Sequence, residues 1–372
     1  MSRTTLPLLA LAAALLAAPA QGQHTRVSHG ESHIVEHRNG HRLEVRLRGQ
    51  VEFNDDADWV TGLAPGAWLS LREEMRGREQ RLDFTSGGGD VRTVYRVNGR
   101  ERPLDAEGRE WARRVLGDAV RESGFAAESR VTQIRRRAGV NGVLGEIAGL
   151  RTDTGRRMYY RALLAGAPLS DAEFARVMDD VGARIRSSTE TRLVLADAAD
   201  RVRDDRGLAA LLRAAARIES DTEARLVLTR VAERHSLAGA GVRTAFFQAV
   251  DGLNSNTERR LVLNTVTERN ALADAGMRSA FFRATDEMDS DTERRLVLSG
   301  ALRRNASDAV VIDAIRSAGE MRSDTEKRLV LSMVPAAHRR NTRVVDEYRR
   351  VVEGMRSDTE RRIALSYLME GR

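Results

Sequence analysis

The sequence predicts an α+β chain that is mainly α: a small antiparallel β-sheet domain, then an α-solenoid of helix-pair repeats of about 34 residues, HEAT/TPR-like in organisation. Three observations predict it. The phrase Ser-Asp-Thr-Glu recurs at Ser220, Ser290, Ser323 and Ser357, with variants at Ser187 and Ser255. Each phrase is followed by two apolar stretches of helical length separated by a break. Ahead of the repeats, residues 43–53 alternate apolar and polar with period two.

The amino terminus is set apart from the fold. "MSRTTLPLLALAAALLAAPAQGQ" has a basic start at Arg3, an apolar run, and the small-residue site Ala18-Pro19-Ala20. This predicts a signal peptide over residues 1–20 and a mature protein that is periplasmic or secreted. No later stretch approaches the ~18 apolar residues of a spanning helix. The chain has no cysteine, which excludes disulfides, thiolate metal sites and a lipid-modified cysteine anchor. Its net charge is +7, with 61 basic against 54 acidic residues in interspersed order. That balance suits a solvated surface with mild attraction for acidic partners, and no nucleic-acid partner is expected of an exported chain. Residues 21–41 contain five of the seven histidines and are expected to form a flexible leader.

Residues 42–104 are expected to be the sheet domain. In "LEVRLRGQVEF", Leu43, Val45, Leu47, Val51 and Phe53 share one parity, a half-buried strand. Further strands are predicted around 67–73, 80–86 and 91–97, with Asn98-Gly99 as a tight turn. A helix over 105–124 offers Trp111, Val115 and Ala119 as the stripe that covers the sheet.

The repeats are expected over 125–372. Measured on the threonine of the phrase, they fall at Thr154, Thr189, Thr222, Thr257, Thr292, Thr325 and Thr359, at intervals of 35, 33, 35, 35, 33 and 34. The phrase reads as a helix start. Ser at the N-cap accepts from the N–H three residues on, and Glu at that position reaches back to the Ser N–H. Five such capping boxes are predicted: Ser220/Glu223, Ser255/Glu258, Ser290/Glu293, Ser323/Glu326 and Ser357/Glu360. Asp at the first helical position favours the helix dipole and stands four residues before an Arg, an arrangement worth ~0.3–0.5 kcal/mol when exposed. Three consecutive apolar residues in "RLVL" predict a helix packed on more than one side. The "AFF" and "LL" pairs of the second helices, and the apolar residue two before each cap, read as core.

Candidate chemistry is sparse. His29, His33, His37 and His41 are the metal candidates, and "HIVEH" over 33–37 matches an inverted zinc-peptidase pattern that requires a helix. Ile34-Val35 predicts strand there, so no metal and no cofactor is expected, and no catalytic set converges. His235 and His338 are read as structural. Arg192, Arg225, Arg260, Arg295, Arg328 and Arg362 occupy one position per unit and form a ladder. Such a ladder either grips an acidic partner or pairs with the Asp of its own helix, and the second use is expected. The function expected is a non-enzymatic interaction or scaffold module whose partner is a protein or peptide of the envelope. The alternative is a divalent-metal-binding or metal-sensing protein using the His cluster. The open carboxy-terminal end, "SDTERRIALSYLMEGR", is a candidate for self-association.

The "SDxE-x-R-xL" helical unit following a strand-rich segment resembles a group of uncharacterised exported bacterial proteins. It is also similar to the extracytoplasmic tails of antirepressor-type membrane metallopeptidases. The peptidase motif is absent here, so the resemblance implies an envelope sensing or scaffold module and supplies no catalytic residues.

Overall fold

The computed structural model describes residues 25–38, 41–54, 56–87, 90–125, 127–269, 272–304 and 307–369, the strand over 25–38 and His41 by backbone alone. The expected signal peptide lies outside the described residues. The chain is mainly helical, with an antiparallel sheet at the amino terminus followed by helices in repeated arrangement. It divides into two compact units, Met1–Val120 and Arg121–Arg372.

In the first unit, seven strands form one antiparallel sheet: β1 (Thr25–Arg38), β2 (His41–Phe53), β3 (Val60–Leu63), β4 (Trp68–Met75), β5 (Arg78–Gly87), β6 (Asp90–Val97) and β7 (Arg100–Arg102). The order is β1-β2-β4-β5-β6-β7, and β3 pairs with the end of β2. Strand β2 therefore serves two neighbours on one side, β4 over 41–48 and β3 over 51–53. The handover falls at Gly49, whose φ is 79° and whose missing Cβ would stand 2.9 Å from that of Ala67. Only glycine meets both conditions. The two-residue turns Arg76-Gly77 (φ 50° and 79°) and Asn98-Gly99 (φ 49° and 76°) have the positive dihedrals of type I′ hairpins.

The alternation read in β2 holds: Leu43, Val45, Leu47, Val51 and Phe53 are buried beside Leu69, Leu71, Leu82 and Phe84. Helix α1 (Ala106–Ser123) buries Trp111, Val115 and Ala119. The Trp111 indole packs on Tyr95 at 5.7 Å, and its Nε1–H donates to Glu73 Oε2 at 2.6 Å. That bond satisfies a carboxylate on the apolar side of β4, where an unpaired one would be costly.

The expected flexible leader is corrected. Thr25–Arg38 pairs with β2 along almost its whole length, with a register shift between His29 and Glu31. Backbone hydrogen bonds make this edge, so the polar composition of 25–38 hid a strand that apolar periodicity could not reveal. "HIVEH" lies within β1, not on a helix.

The second unit starts with the end of α1 and α2 (Ala127–Ala148), which breaks at Gly139 (φ 64°), a helix–break–helix in a single element. First and second helices then alternate. The first helices are α3 (Asp153–Ala165), α5 (Ser188–Ala199), α7 (Asp221–Arg234), α9 (Asn256–Arg269), α11 (Asp291–Arg303), α13 (Asp324–Ser332) and α15 (Asp358–Met369). The second helices are α4 (Asp171–Arg184), α6 (Asp205–Ala215), α8 (Ala240–Asp251), α10 (Ala275–Asp286), α12 (Asp308–Gly319) and α14 (Thr342–Glu353). Helix α13 is cut short ahead of Pro335, and a 3-10 turn, Ala336–Arg340, bridges to α14.

One apolar core runs through this unit. It contains Phe246, Phe247, Phe281 and Phe282, and the residues preceding the caps, Ile185, Ile218, Leu253, Met288, Met321 and Met355. Val227-Leu228 and Val262-Leu263 are fully buried, each side chain worth roughly 1.5–3 kcal/mol. The leucine before each pair is not: Leu226 is 40% and Leu261 37% exposed. Two of the three apolar positions in "RLVL" are sandwiched, and the third faces out.

Candidate interaction site

The repeated phrase acts between units as well as within them. Five predicted N-caps form: Ser220, Ser255, Ser290, Ser323 and Ser357 Oγ accept from the N–H of Glu223, Glu258, Glu293, Glu326 and Glu360 at 3.3–3.5 Å. The return half of the box does not form there. Each Glu carboxylate turns instead to the preceding unit, where a Thr hydroxyl donates to one oxygen and an Arg guanidinium pairs with the other. Thr222 donates to Glu258, Thr257 to Glu293, Thr292 to Glu326 and Thr325 to Glu360, all at 3.0 Å. Arg225, Arg260, Arg295 and Arg328 pair with the same four carboxylates. Thr189 and Arg192 clasp Glu223, and Thr154 and Arg157 clasp Glu190, making six clasps among the described residues. A reciprocal capping box closes at Ser170/Glu173, at the start of second helix α4.

The cap N–H groups abandoned by Glu are taken by the first helical residue of the preceding unit. Asp291 Oδ2 accepts from the N–H of Arg322 and Ser323 at 2.8 and 2.6 Å. Asp324 does so for Arg356 and Ser357, Asp153 for Arg186 and Ser187, and Asp221 for Ser255. Ser188 and Asn256, which replace Asp in two units, accept from Ser220 and Asp289. From α3 to α13, the first-position residue and the Thr of each first helix thus bond to the following unit.

This corrects the expected use of the Arg ladder. The intrahelical pairs Asp221/Arg225, Asp291/Arg295 and Asp324/Arg328 do not form. Asp is more effective accepting backbone N–H groups at a helix start, a charge-assisted bond of roughly 1.5–3 kcal/mol, than in an exposed pair of tenths. The ladder arginines that clasp are 17–25% exposed and their charge is answered by Glu. Arg362 of α15 is exposed and has no ion pair among the described residues.

A second basic row escaped the sequence reading. The residue before the ladder Arg is buried in three units: Arg259, Arg294 and Lys327. Arg259 donates to the carbonyls of Asp251, Leu253 and, in the next unit, Glu287 at 2.9, 2.8 and 3.2 Å. Arg294 donates to Asp286 Oδ1 and Ser317 O at 2.8 and 3.0 Å. These side chains close the carboxy-terminal carbonyls of the second helices. The doubled "ERR" and "EKR" were the available signal.

The remaining histidines are structural contacts. His235 caps α7 and meets Ala199 O at 2.8 Å; His338 meets Asp308 Oδ1 at 2.5 Å. His338 and Asn341, both bonded to Asp308, hold its carboxyl below its usual range. The side chains of the metal candidates His29, His33, His37 and His41 lie outside the described residues.

The outer edge of the first helices is open to solvent. The phrase threonines are exposed in every unit, and beside them stand the outward aliphatics, Leu226 and Leu261 foremost. A cleft of about 320 Å³ lies near the turns after α3 and α5, lined by Leu169, Phe174, Val202 and the charged Asp200, Arg203 and Asp204.

The fold is that of a helical-repeat protein with an amino-terminal antiparallel sheet. No known family model matches the chain, and no curated protein or solved structure matches it significantly.

Proposed function

We propose that the protein is a non-enzymatic interaction scaffold or sensor module of the bacterial cell envelope, exported through residues 1–20 and binding a protein or peptide. The observation that carries the reading is the row of exposed threonines and aliphatics repeated at one pitch along the first helices. Six clasps hold that pitch fixed, so an extended partner meets a preorganised surface and loses less on ordering it. Exposed apolar residues in register are characteristic of recognition surfaces, whereas scattered ones need no explanation.

The test places a photo-crosslinking residue at Leu226 or Leu261 in the native host, with the exposed Arg213 of α6 as control. Adducts are expected from the two row positions and not from the control. They should disappear when the neighbouring row leucine is changed to Asp. Equal crosslinking from Arg213, or none from the row, contradicts the proposal.

A further inference from the structure

Each first helix from α3 to α13 carries the next unit on one side, and the six interfaces define what that side accepts. A Thr and an Arg receive the third-position Glu of the incoming helix. The first-position residue receives a backbone N–H at or just before its cap, and a buried leucine, or Tyr160 in α3, receives its apolar side. Helix α15 has the same residues on the same side, exposed. Leu365 is 38% exposed, whereas its equivalents Leu195, Leu228, Leu263, Leu298 and Leu331 are all 0%. Met369 is 71% exposed, whereas Ala199, Ala232 and Leu302 are at most 1%. The Asp358 side chain is 94% exposed against 13% for Asp324. Thr359 is exposed, and Arg362 lacks the carboxylate its five named predecessors hold.

We propose that this side of α15 is a docking site for a further helical unit whose first turn reads Ser-Asp-Thr-Glu or a close variant. Its Glu accepts from Thr359 Oγ1 and Arg362 Nε, and its cap N–H donates to Asp358. Its apolar positions cover Leu365 and Met369. The chain's own interfaces define the occupant, since each matches these donors with that turn.

A second copy of this chain, entering head to tail, does not fit. Its leading first helix, α3, has Gly155 where the Glu stands, and Glu122 already accepts from the N–H groups of Arg151 and Thr152 at 2.8 and 3.0 Å. Two α15 faces brought together leave both Arg362 side chains without a free third-position Glu, because each Glu360 is already held by Thr325 and Arg328 of its own chain. The site goes beyond the proposed recognition row and is separable from it.

The probe is a labelled peptide with the sequence of residues 287–321, one complete unit, titrated with the full chain and read by fluorescence anisotropy. Saturable binding is expected. Arg362→Ala in the chain or Glu293→Gln in the peptide should weaken it by about tenfold or more, and Leu365→Lys should abolish it. Because an isolated unit pays its own folding cost, the same segment is also joined to the carboxy terminus through a flexible Gly-Ser linker. The fused unit should then gain amide-exchange protection that Arg362→Ala removes. No binding in trans together with no protection in the fusion overturns the proposal, as does binding indifferent to these substitutions. So does a dimer in sedimentation that Leu365→Lys dissociates and that blocks the peptide, since the face then serves a second copy. Row crosslinks at Leu226 and Leu261 that survive Leu365→Lys show the scaffold reading standing independently.

Discussion

Replacing Glu293 with alanine removes one carboxylate from two donors in another unit, the Thr257 hydroxyl at 3.0 Å and the Arg260 guanidinium. The Arg260 and Glu293 side chains are 22% and 19% exposed, so the pair is neither fully buried nor a free surface bridge. A charge-assisted hydrogen bond contributes roughly 1.5–3 kcal/mol and an exposed bridge about 0–1. Arg260 keeps some access to water after the substitution, which sets the expectation at about 1.5–2 kcal/mol. Stacked repeats do not unfold in one step, so the loss is best read locally. Native-state hydrogen exchange should loosen at 257–262 and 291–297 and change little beyond the adjoining units. A double-mutant cycle between Arg260→Ala and Glu293→Ala should return a coupling of about 1 kcal/mol, and one between Asp291→Ala and Arg295→Ala about zero. A coupling below ~0.3 kcal/mol in the first cycle, with ~0.3–0.5 in the second, would restore the intrahelical pairing and refute the clasp.

Other consequences are checked by stability measurements. Arg259→Ala strips donors from three carbonyls in a buried place and should cost about 2–4 kcal/mol, more than loss of any one clasp, read by local exchange at 251–259. Gly49→Ala forces a Cβ into Ala67 at positive φ and should destabilise the sheet by about 1–3 kcal/mol in urea unfolding; an unchanged midpoint would count against the strain. Burial pushes the Glu146 carboxyl up, but hydrogen bonds from Arg130 and Arg121 hold it below its ordinary value of 4.5. Its stabilising contribution is therefore present above that value and lost as pH falls through the folded one, so Glu146→Gln should lower stability near neutrality and flatten the acid limb.

The repeats were legible because their period is enforced by covalent spacing: a helix that must start at the same place writes the same cap each time. The core positions followed from that period, and Phe246, Phe281 and Met321 lie where it put them. The partners of the phrase were not legible. Asp221 and Arg225 are four apart in sequence, and local spacing favours their pairing. In the fold, Glu258 arrives from 33 residues away, and Asp221 has better work at the Ser255 N–H. A sequence lists neighbours along one helix, while the stack adds neighbours one unit on. The same limit hid β1, whose bonds to β2 are made by backbone and leave no apolar pattern. The exposure of Leu226 was hidden because "RLVL" contains three apolar letters and only stacking determines which one faces out.

If the phrase is the joint between units, removing one whole period must leave a working joint. Deleting residues 255–289 brings Ser290 to the position of Ser255 and makes Glu293 the next third-position acid after Arg225. The measurement is a crystal structure of this in-register deletion. The clasp predicts a folded stack, shorter by one unit, in which Thr222 Oγ1 and Arg225 Nε both donate to Glu293. A chain that fails to fold, or one in which Arg225 turns to Asp221, would contradict it.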